Sequence, residues 1–391
     1  MELGIYAHPF GFGDLDGLGG PESLAALRID EIAVAAAYHA GRWLVPGNRA
    51  AIVRFLEDGV VHAAIGRDYS EIQPRASRMA LAHSGLAASC AIAQRLGVRA
   101  SAWTVLFHNT RLGMLHPGSC VQNAFGDRFE YALCPARPEV REYGLTLLRD
   151  LATTPHLSTI ELEAAGWMGH KHGGHHDKTS FAIDAHADFL LSYCFCSSCL
   201  ANLGELGIDA NAARSRCAEL LIARFHSGDA LEEKERSREL LAGDLGTDVL
   251  EAMLETRRRG NESFLREARA VLPSSLGLAL HVHPDPYFTG SQMGIELARL
   301  GPSVQEVVFT CYAEGADRIE AFLKTLIVPP GLRTRLAIWP RAPQFRDDPD
   351  LRRVRDAAVA AGVGGVRIYH AGLLPARTLR RAAGALGTGM G

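Results

Sequence analysis

Apolar residues along this chain fall into two alternating rhythms. Short runs rich in β-branched and aromatic residues are followed by stretches with apolar positions every three or four residues, the periods of buried strands and of amphipathic helices. Eight runs have strand character: residues 3–10 (LGIYAHPF), 31–39, 99–108, 158–166 (STIELEAAG), 277–286 (GLALHVHPDP), 306–314, 334–340 and 365–372 (GVRIYHAG). Helical spacing predicts helices within 23–29, 77–97, 138–154 and 315–327. Eight strands alternating with helices predict an α/β chain folded as one (β/α)8 barrel over residues 1–391. A doubly wound open sheet has the same alternation, but it does not require a polar residue at every strand end. Residues 200–275 are helical in pattern and charged, which predicts a helical insertion between the fourth and fifth strands.

Barrel enzymes gather their chemistry at the C-terminal ends of the strands, and here those ends are rich in reactive side chains. They carry His8, His39, His108 with Asn109, Glu161 and Glu163, His281, His283 and Asp285, Glu314, Trp339 with Arg341, and His370. Cleaving a glycosidic bond needs two carboxyl groups, one to give a proton and one to act as nucleophile or base. Glu161 and Glu163 lie two apart and so share one face of their strand, with Glu163 nearer the mouth. Glu163 is therefore the expected acid, with Glu314 ahead of Asp285 as its partner. Sugars also need aromatic platforms and hydroxyl-binding groups. Trp103, Trp167, Tyr287, Tyr312, Trp339, His8, His108, Asn109, His283 and His370 are candidates for these roles.

The stretch GHKHGGHHDK follows the Glu163 strand and holds His170, His172, His175 and His176. Its histidines suit hydroxyl binding, with His170 and His172 foremost. They also suit a catalytic metal shared with Glu161, Glu163 or Asp177, or a lid. His281 and His283 alternate like metallohydrolase ligands, whereas the first strand, YAHPF, lacks the His-x-His of amidohydrolase-type sites.

Eight cysteines are too few for a disulfide scaffold in a chain of 391 residues. Lone ones such as Cys90 and Cys311 read as small core residues. Cys194, Cys196 and Cys199 form C-x-C-x-x-C, which can supply three ligands of a tetrahedral zinc. Cys134 is the best-placed fourth, with Cys120, Cys217 or a loop histidine as alternatives. A redox C-x-x-C or a packed thiol cluster also fits the spacing, although thioredoxin-like surroundings are missing.

The order Cys134-Pro-x-x-Pro-x-x-Arg, a strand ending in a glutamate, then Cys-Phe-Cys-x-x-Cys resembles the zinc-bearing β-galactosidases of glycoside hydrolase family 42. The segments FLEDGVVHAAIGRDYSEIQP and VRIYHAGLLP resemble a wider set of glycosyl-hydrolase-like barrels. The resemblance implies a structural zinc held by Cys134, Cys194, Cys196 and Cys199, and Glu163 as acid/base. It is strongest over residues 130–200. The chain departs from the family in having Leu162 where an asparagine precedes the acid, a histidine-rich insertion before the cysteines, and no glutamate on the seventh strand. Barrels of this kind often form oligomers, so a homo-oligomer is also expected.

A formal net charge of -3 without long single-sign runs leaves no footprint for nucleic acid or an acidic membrane, and favours small neutral ligands. No apolar run reaches membrane-spanning length and no secretory signal opens the chain, so a cytoplasmic protein is expected. Three functions fit: a glycoside hydrolase acting on a small carbohydrate, a metal-dependent sugar isomerase, epimerase or hydrolase using the histidine loop, and a carbohydrate-binding barrel without catalysis.

Overall fold

The computed structural model describes residues 1–10, 24, 26–47, 52–78, 85–172, 178, 183–226 and 237–387. Eight strands form the centre: β1 (Glu2–Ala7), β2 (Glu31–Tyr38), β3 (Arg99–Val105), β4 (Leu157–Glu163), β5 (Gly277–His283), β6 (Glu306–Cys311), β7 (Arg333–Ile338) and β8 (Gly365–Ile368). Each pairs in parallel with the next, and β8 pairs with β1, so the ring closes as a (β/α)8 barrel. Carried around the ring from Tyr6 through Ala33, Ser101, Thr159 and Gly277, the register returns to β1 about eight residues lower, the stagger of this fold. All eight predicted runs lie on these strands. The apolar runs extend past the ladders because the chain stays buried as it folds over the barrel mouth.

Successive side chains on a strand face opposite ways, and this separates two cores. Leu3, Ile5, Ile32, Val34, Ile160, Leu162, Leu278 and Leu280 point outward against helices such as Pro138–Ala152, which presents Val140, Tyr143, Leu147, Leu148 and Leu151. Tyr6, Ala33, Ala35, Trp103, Val308 and Ala337 belong to the inward set.

The middle of the barrel is ionic. Arg367, fully buried, reaches Glu161, Glu31 at 2.9 Å and Glu306 at 3.5 Å. Arg335 reaches Glu2, Glu306 at 2.6 Å and Glu31 at 3.2 Å. Glycines make the room: a Cβ on Gly4 would stand 2.9 Å from Arg367 Cγ, and one on Gly365 would stand 2.6 Å from Arg335 Nη1. Burial works to raise the Glu31 carboxyl, but Arg367, Arg335 and the Ser101 hydroxyl outweigh it and hold it down at about 2.

Between β4 and β5 the described chain forms helices Ala185–Ser192, Ser197–Gly204, Ala210–His226, Arg238–Leu245 and Thr247–Val271. Phe189, Leu203, Cys217, Leu221, Leu241, Leu250 and Met253 make a separate apolar cluster there. The 25-residue last helix joins both cores, since its far end contributes Phe264, Leu265 and Ala268 to the barrel. Helices Leu86–Arg95 and Ala316–Thr325 stand where spacing predicts them; of the predicted 23–29 helix, residues 24 and 26 are helical and 27–29 are turn and irregular chain, while 23 and 25, like 79–84, lie outside the described residues. No described helix is long and apolar enough to cross a membrane.

Replacing Arg367 by methionine leaves buried carboxylates without their counter-charge, and should cost about 3–5 kcal/mol in chemical denaturation. Glu31 titrates near 4.5 when free and about 2 when folded, so its contribution is complete above the higher value and fades as pH falls toward the lower. A Glu31→Gln variant should therefore be less stable than wild type at neutral pH and lose less stability between pH 4.5 and 2.

Candidate active site

Glu163 is the last residue of β4, and the next residue, Ala164, has φ of 52°. The left-handed region is costly for a residue with a Cβ. The turn is secured by Ala164 N donating to Ser291 O at 2.8 Å and Phe107 N donating to Ala164 O at 3.0 Å. The Glu163 carboxylate accepts from Trp103 Nε1 at 2.5 Å and Ser291 Oγ at 3.5 Å. His281 Nδ1 lies 3.6 Å from Glu163 Oε2, while its Nε2 lies 2.6 Å from Glu161 Oε1. Burial lowers the basicity of His281 despite the nearby Glu163 charge.

Glu163 opens into a cavity of about 980 Å³ at the C-terminal end of the barrel. Aromatic residues are prominent in its wall, among them Tyr38 from the end of β2, Trp43 from the hairpin of Gly41–Leu44 and Val53–Leu56, Trp103, Tyr312, Trp339 and Tyr369. Tyr312 and Tyr369 pack with ring centroids 4.3 Å apart, and among the described residues the buried Tyr312 hydroxyl has no hydrogen-bond partner. His39 stacks on His108 at 4.3 Å, and His108 Nδ1 meets His172 Nε2 at 3.2 Å. Burial, with His39 and His172 adding to it, pushes His108 down to about 2, and it lowers His39 and His172 as well. Behind the wall, burial holds His370 down at about 3 and His62 at about 4, with His8 well below its ordinary value. These imidazoles are neutral in ordinary buffers.

Of the residues singled out from sequence, the fold brings Glu163, Trp103, His172, Tyr312 and Trp339 to the cavity wall. His108 supports His39 and His172, and His8 and His370 pack edge-to-face against Trp43 from behind. Glu161 is elsewhere, buried in the barrel between Arg367, Tyr6 and His281. Glu314 stands off the wall, 3.4 Å from Arg318. Asp285 accepts from Tyr287 N at 2.9 Å in its own loop. His283 stacks on Phe288 at 3.9 Å, and Tyr287 packs on Phe189. Trp167 lies against Gly260, and His170 donates its backbone N–H to Ser192. Asn109 caps helix Thr110–Leu115, accepting from Leu112 N at 2.9 Å. His175, His176 and Asp177 lie outside the described residues. Spacing did not single out Tyr38, Trp43, Tyr369 and Ser291. The phenolic residues ending β2 and following β8 were the available signal, whereas Ser291 comes from a loop with no strand or helix pattern.

All eight cysteines are free and buried, with Cys90 and Cys311 in the outer core. Cys134, Cys194, Cys196 and Cys199 converge, their sulfurs all within 4.8 Å of one another. Cys134 Sγ lies 3.7 Å from those of Cys194 and Cys196 and 3.6 Å from that of Cys199. Sulfurs at tetrahedral corners about 2.3 Å from a metal are ~3.8 Å apart, so the donor set fits a thiophilic ion. Gln122 N donates to Cys194 Sγ at 3.4 Å, and the buried Arg257 guanidinium lies over Tyr193 beside the cluster. Cys120 and Cys217 lie apart from the four.

Comparison with solved structures places the fold among barrels of glycosidases. A β-galactosidase from the psychrophilic Marinomonas ef1 superposes with a TM-score of 0.55 at 14% identity, over 99% of this chain and 59% of that one. The catalytic domain of a β-amylase from Paenibacillus polymyxa gives 0.55 at 9% identity, over 96% and 94%. An α-L-fucosidase from Paenibacillus thiaminolyticus gives 0.53 at 12%, over 99% and 49%. The chain thus spans about half the length of the fucosidase and three fifths of the galactosidase. No family model matches the chain, and no curated protein matches it in sequence.

Asn109 acts on the helix rather than on the cavity. Asn109→Ala should lower stability by about 1 kcal/mol, the value of a lost N-cap, and leave ligand-induced quenching of tryptophan fluorescence unchanged.

Proposed function

We propose that the protein cleaves a glycosidic bond in the barrel-mouth cavity, with Glu163 delivering the proton to the leaving oxygen. The observation that carries this reading is the position of Glu163. It ends β4, it is the one carboxylate among the described residues of the cavity wall, and it faces an aromatic enclosure. Sugar rings present apolar faces ringed by hydroxyls, so aromatic platforms together with imidazole and phenol hydrogen-bonders suit them. Trp103 Nε1 fixes one carboxyl oxygen, and the neutral His281 links Glu163 to the buried Glu161, Tyr6 and Arg367. Glu161 is then a positioning residue. The barrels this chain superposes on are named as glycosidases, and this agrees with the reading at the level of fold.

The single carboxylate favours one alternative, a barrel that binds carbohydrate without turning it over. A metal-dependent isomerase would draw on the histidine loop, whose His175, His176 and Asp177 lie outside the described residues; among the described residues, the four cysteines are the convergent cluster of metal-binding side chains. We assign that cluster to a structural zinc. Bound there, the ion would compensate the thiolates and tie Cys134, ahead of helix Pro138–Ala152, to the segment between helices Ala185–Ser192 and Ser197–Gly204.

Glu163→Gln should slow hydrolysis of responsive aryl glycosides at least a hundredfold while sugar binding by fluorescence persists. Hydrolysis at the wild-type rate would sink the assignment, and binding without turnover in wild type would select the non-catalytic alternative. Metal analysis of purified protein should find one zinc per chain. Cys199→Ser should lose it and melt at lower temperature, and a chelator too weak to strip the ion should leave turnover intact.

A further inference from the structure

The charge of the cavity is opposite to that of the chain. Overall the protein has a formal net charge of -3, yet the cavity wall carries four arginines, Arg42, Arg341, Arg346 and Arg381, against Glu163 alone. The histidines of the wall are held neutral by burial, so the guanidinium groups set the local field. They come from three places: Arg42 from the hairpin after β2, Arg341 and Arg346 from the segment after β7, and Arg381 from helix Ala376–Leu386.

Several arginines outside the cavity are tied to carboxylates. Arg353 meets Asp317, Glu320 and Asp350, and Arg299 meets Glu255 and Glu262. In the cavity, Arg381 has Asp348 at 3.3 Å, whereas among the described residues no carboxylate lies within ion-pair distance of Arg42, Arg341 or Arg346. Like charges gathered on a concave wall repel one another, and although Arg42, Arg341 and Arg346 are exposed to solvent, a cleft lined by one sign of charge focuses the field that an incoming anion meets. Arg341 is also pre-oriented, its guanidinium carbon 3.5 Å from the centre of the Trp339 ring. A planar guanidinium fork standing over an indole presents paired donors that match the paired oxygens of a carboxylate, sulfate or phosphate.

We propose that the ligand of this cavity is an anionic carbohydrate, a sugar bearing carboxylate, sulfate or phosphate, whose charged group is received by Arg341 with Arg42 and Arg346 supporting it. This rests on reading the cavity as a carbohydrate site, and it adds the class of sugar. The aromatic wall takes the ring faces and the arginines take the charge.

The test is calorimetric titration of the full chain with matched pairs: uronate oligosaccharides and their carboxyl-reduced twins, with sulfated and phosphorylated glycosides as separate arms. At low salt at least one anionic class should bind about tenfold or more tighter than its neutral twin, with the advantage shrinking as salt rises. The arm that gains identifies the anion. Arg341→Gln should erase the advantage, and Arg346→Gln should reduce it, with melting curves recorded for each variant. Equal affinity within every pair, or an advantage untouched in both folded variants, overturns the proposal. Turnover is followed on the same ligands. Anions that bind preferentially but are never cleaved would refute hydrolysis and keep the preference. Neutral glycosides cleaved in a Glu163-dependent way, with no gain from charge, would do the reverse.

Discussion

The buried guanidinium of Arg367 is the constraint on which the mouth of this barrel depends. Barrel interiors are usually filled by branched apolar side chains, but here a cation on β8 holds carboxylates from β2, β4 and β6 together. Such a network is costly to bury and still more costly to break, so its geometry is strongly fixed. That rigidity passes upward through Glu161 to His281 and Tyr6, and from His281 to Glu163. The Glu163 carboxyl thus stands on an ordered polar floor.

Much of the barrel could be read from residue pattern, because strand and helix periods depend on local burial and recur eight times. The cysteine cluster was readable too, although joining Cys134 to the distant C-x-C-x-x-C motif needed the barrel topology, which sends both loops out of the same face, with the family resemblance in agreement. The site was less accessible. Glu161 and Glu163 share a strand face, and their order along β4 sets Glu163 nearer the mouth, but the burial of Glu161 against Arg367, far along the chain, is not written in that spacing. Glu163 is the last residue of β4, whereas Glu314 lies three residues past the end of β6 and pairs with Arg318, a difference that the apolar runs do not reveal. Average charge also misled about the cavity: a chain slightly negative overall concentrates arginines from three separate elements on one wall.

The cavity combines features that pull in different directions. Its wall is aromatic and its imidazoles are neutral, which suits the flat faces of sugars, while its rim is cationic. An aromatic ring also shields a stacked guanidinium from solvent and keeps its outer edge free, as at Trp339 and Arg341. The same residue pair can therefore serve both the apolar and the charged part of one ligand.

The four convergent cysteines have a further consequence. They pack in the same buried cluster as Trp103 and Met168, with Trp167 against it. Thiolates are the groups most readily altered by peroxide or displaced by competing soft metals. Damage there would loosen the floor of the cavity without touching a reacting atom. On the proposed zinc assignment, the packing beneath the cavity is thereby tied to the oxidant level and metal supply of its surroundings.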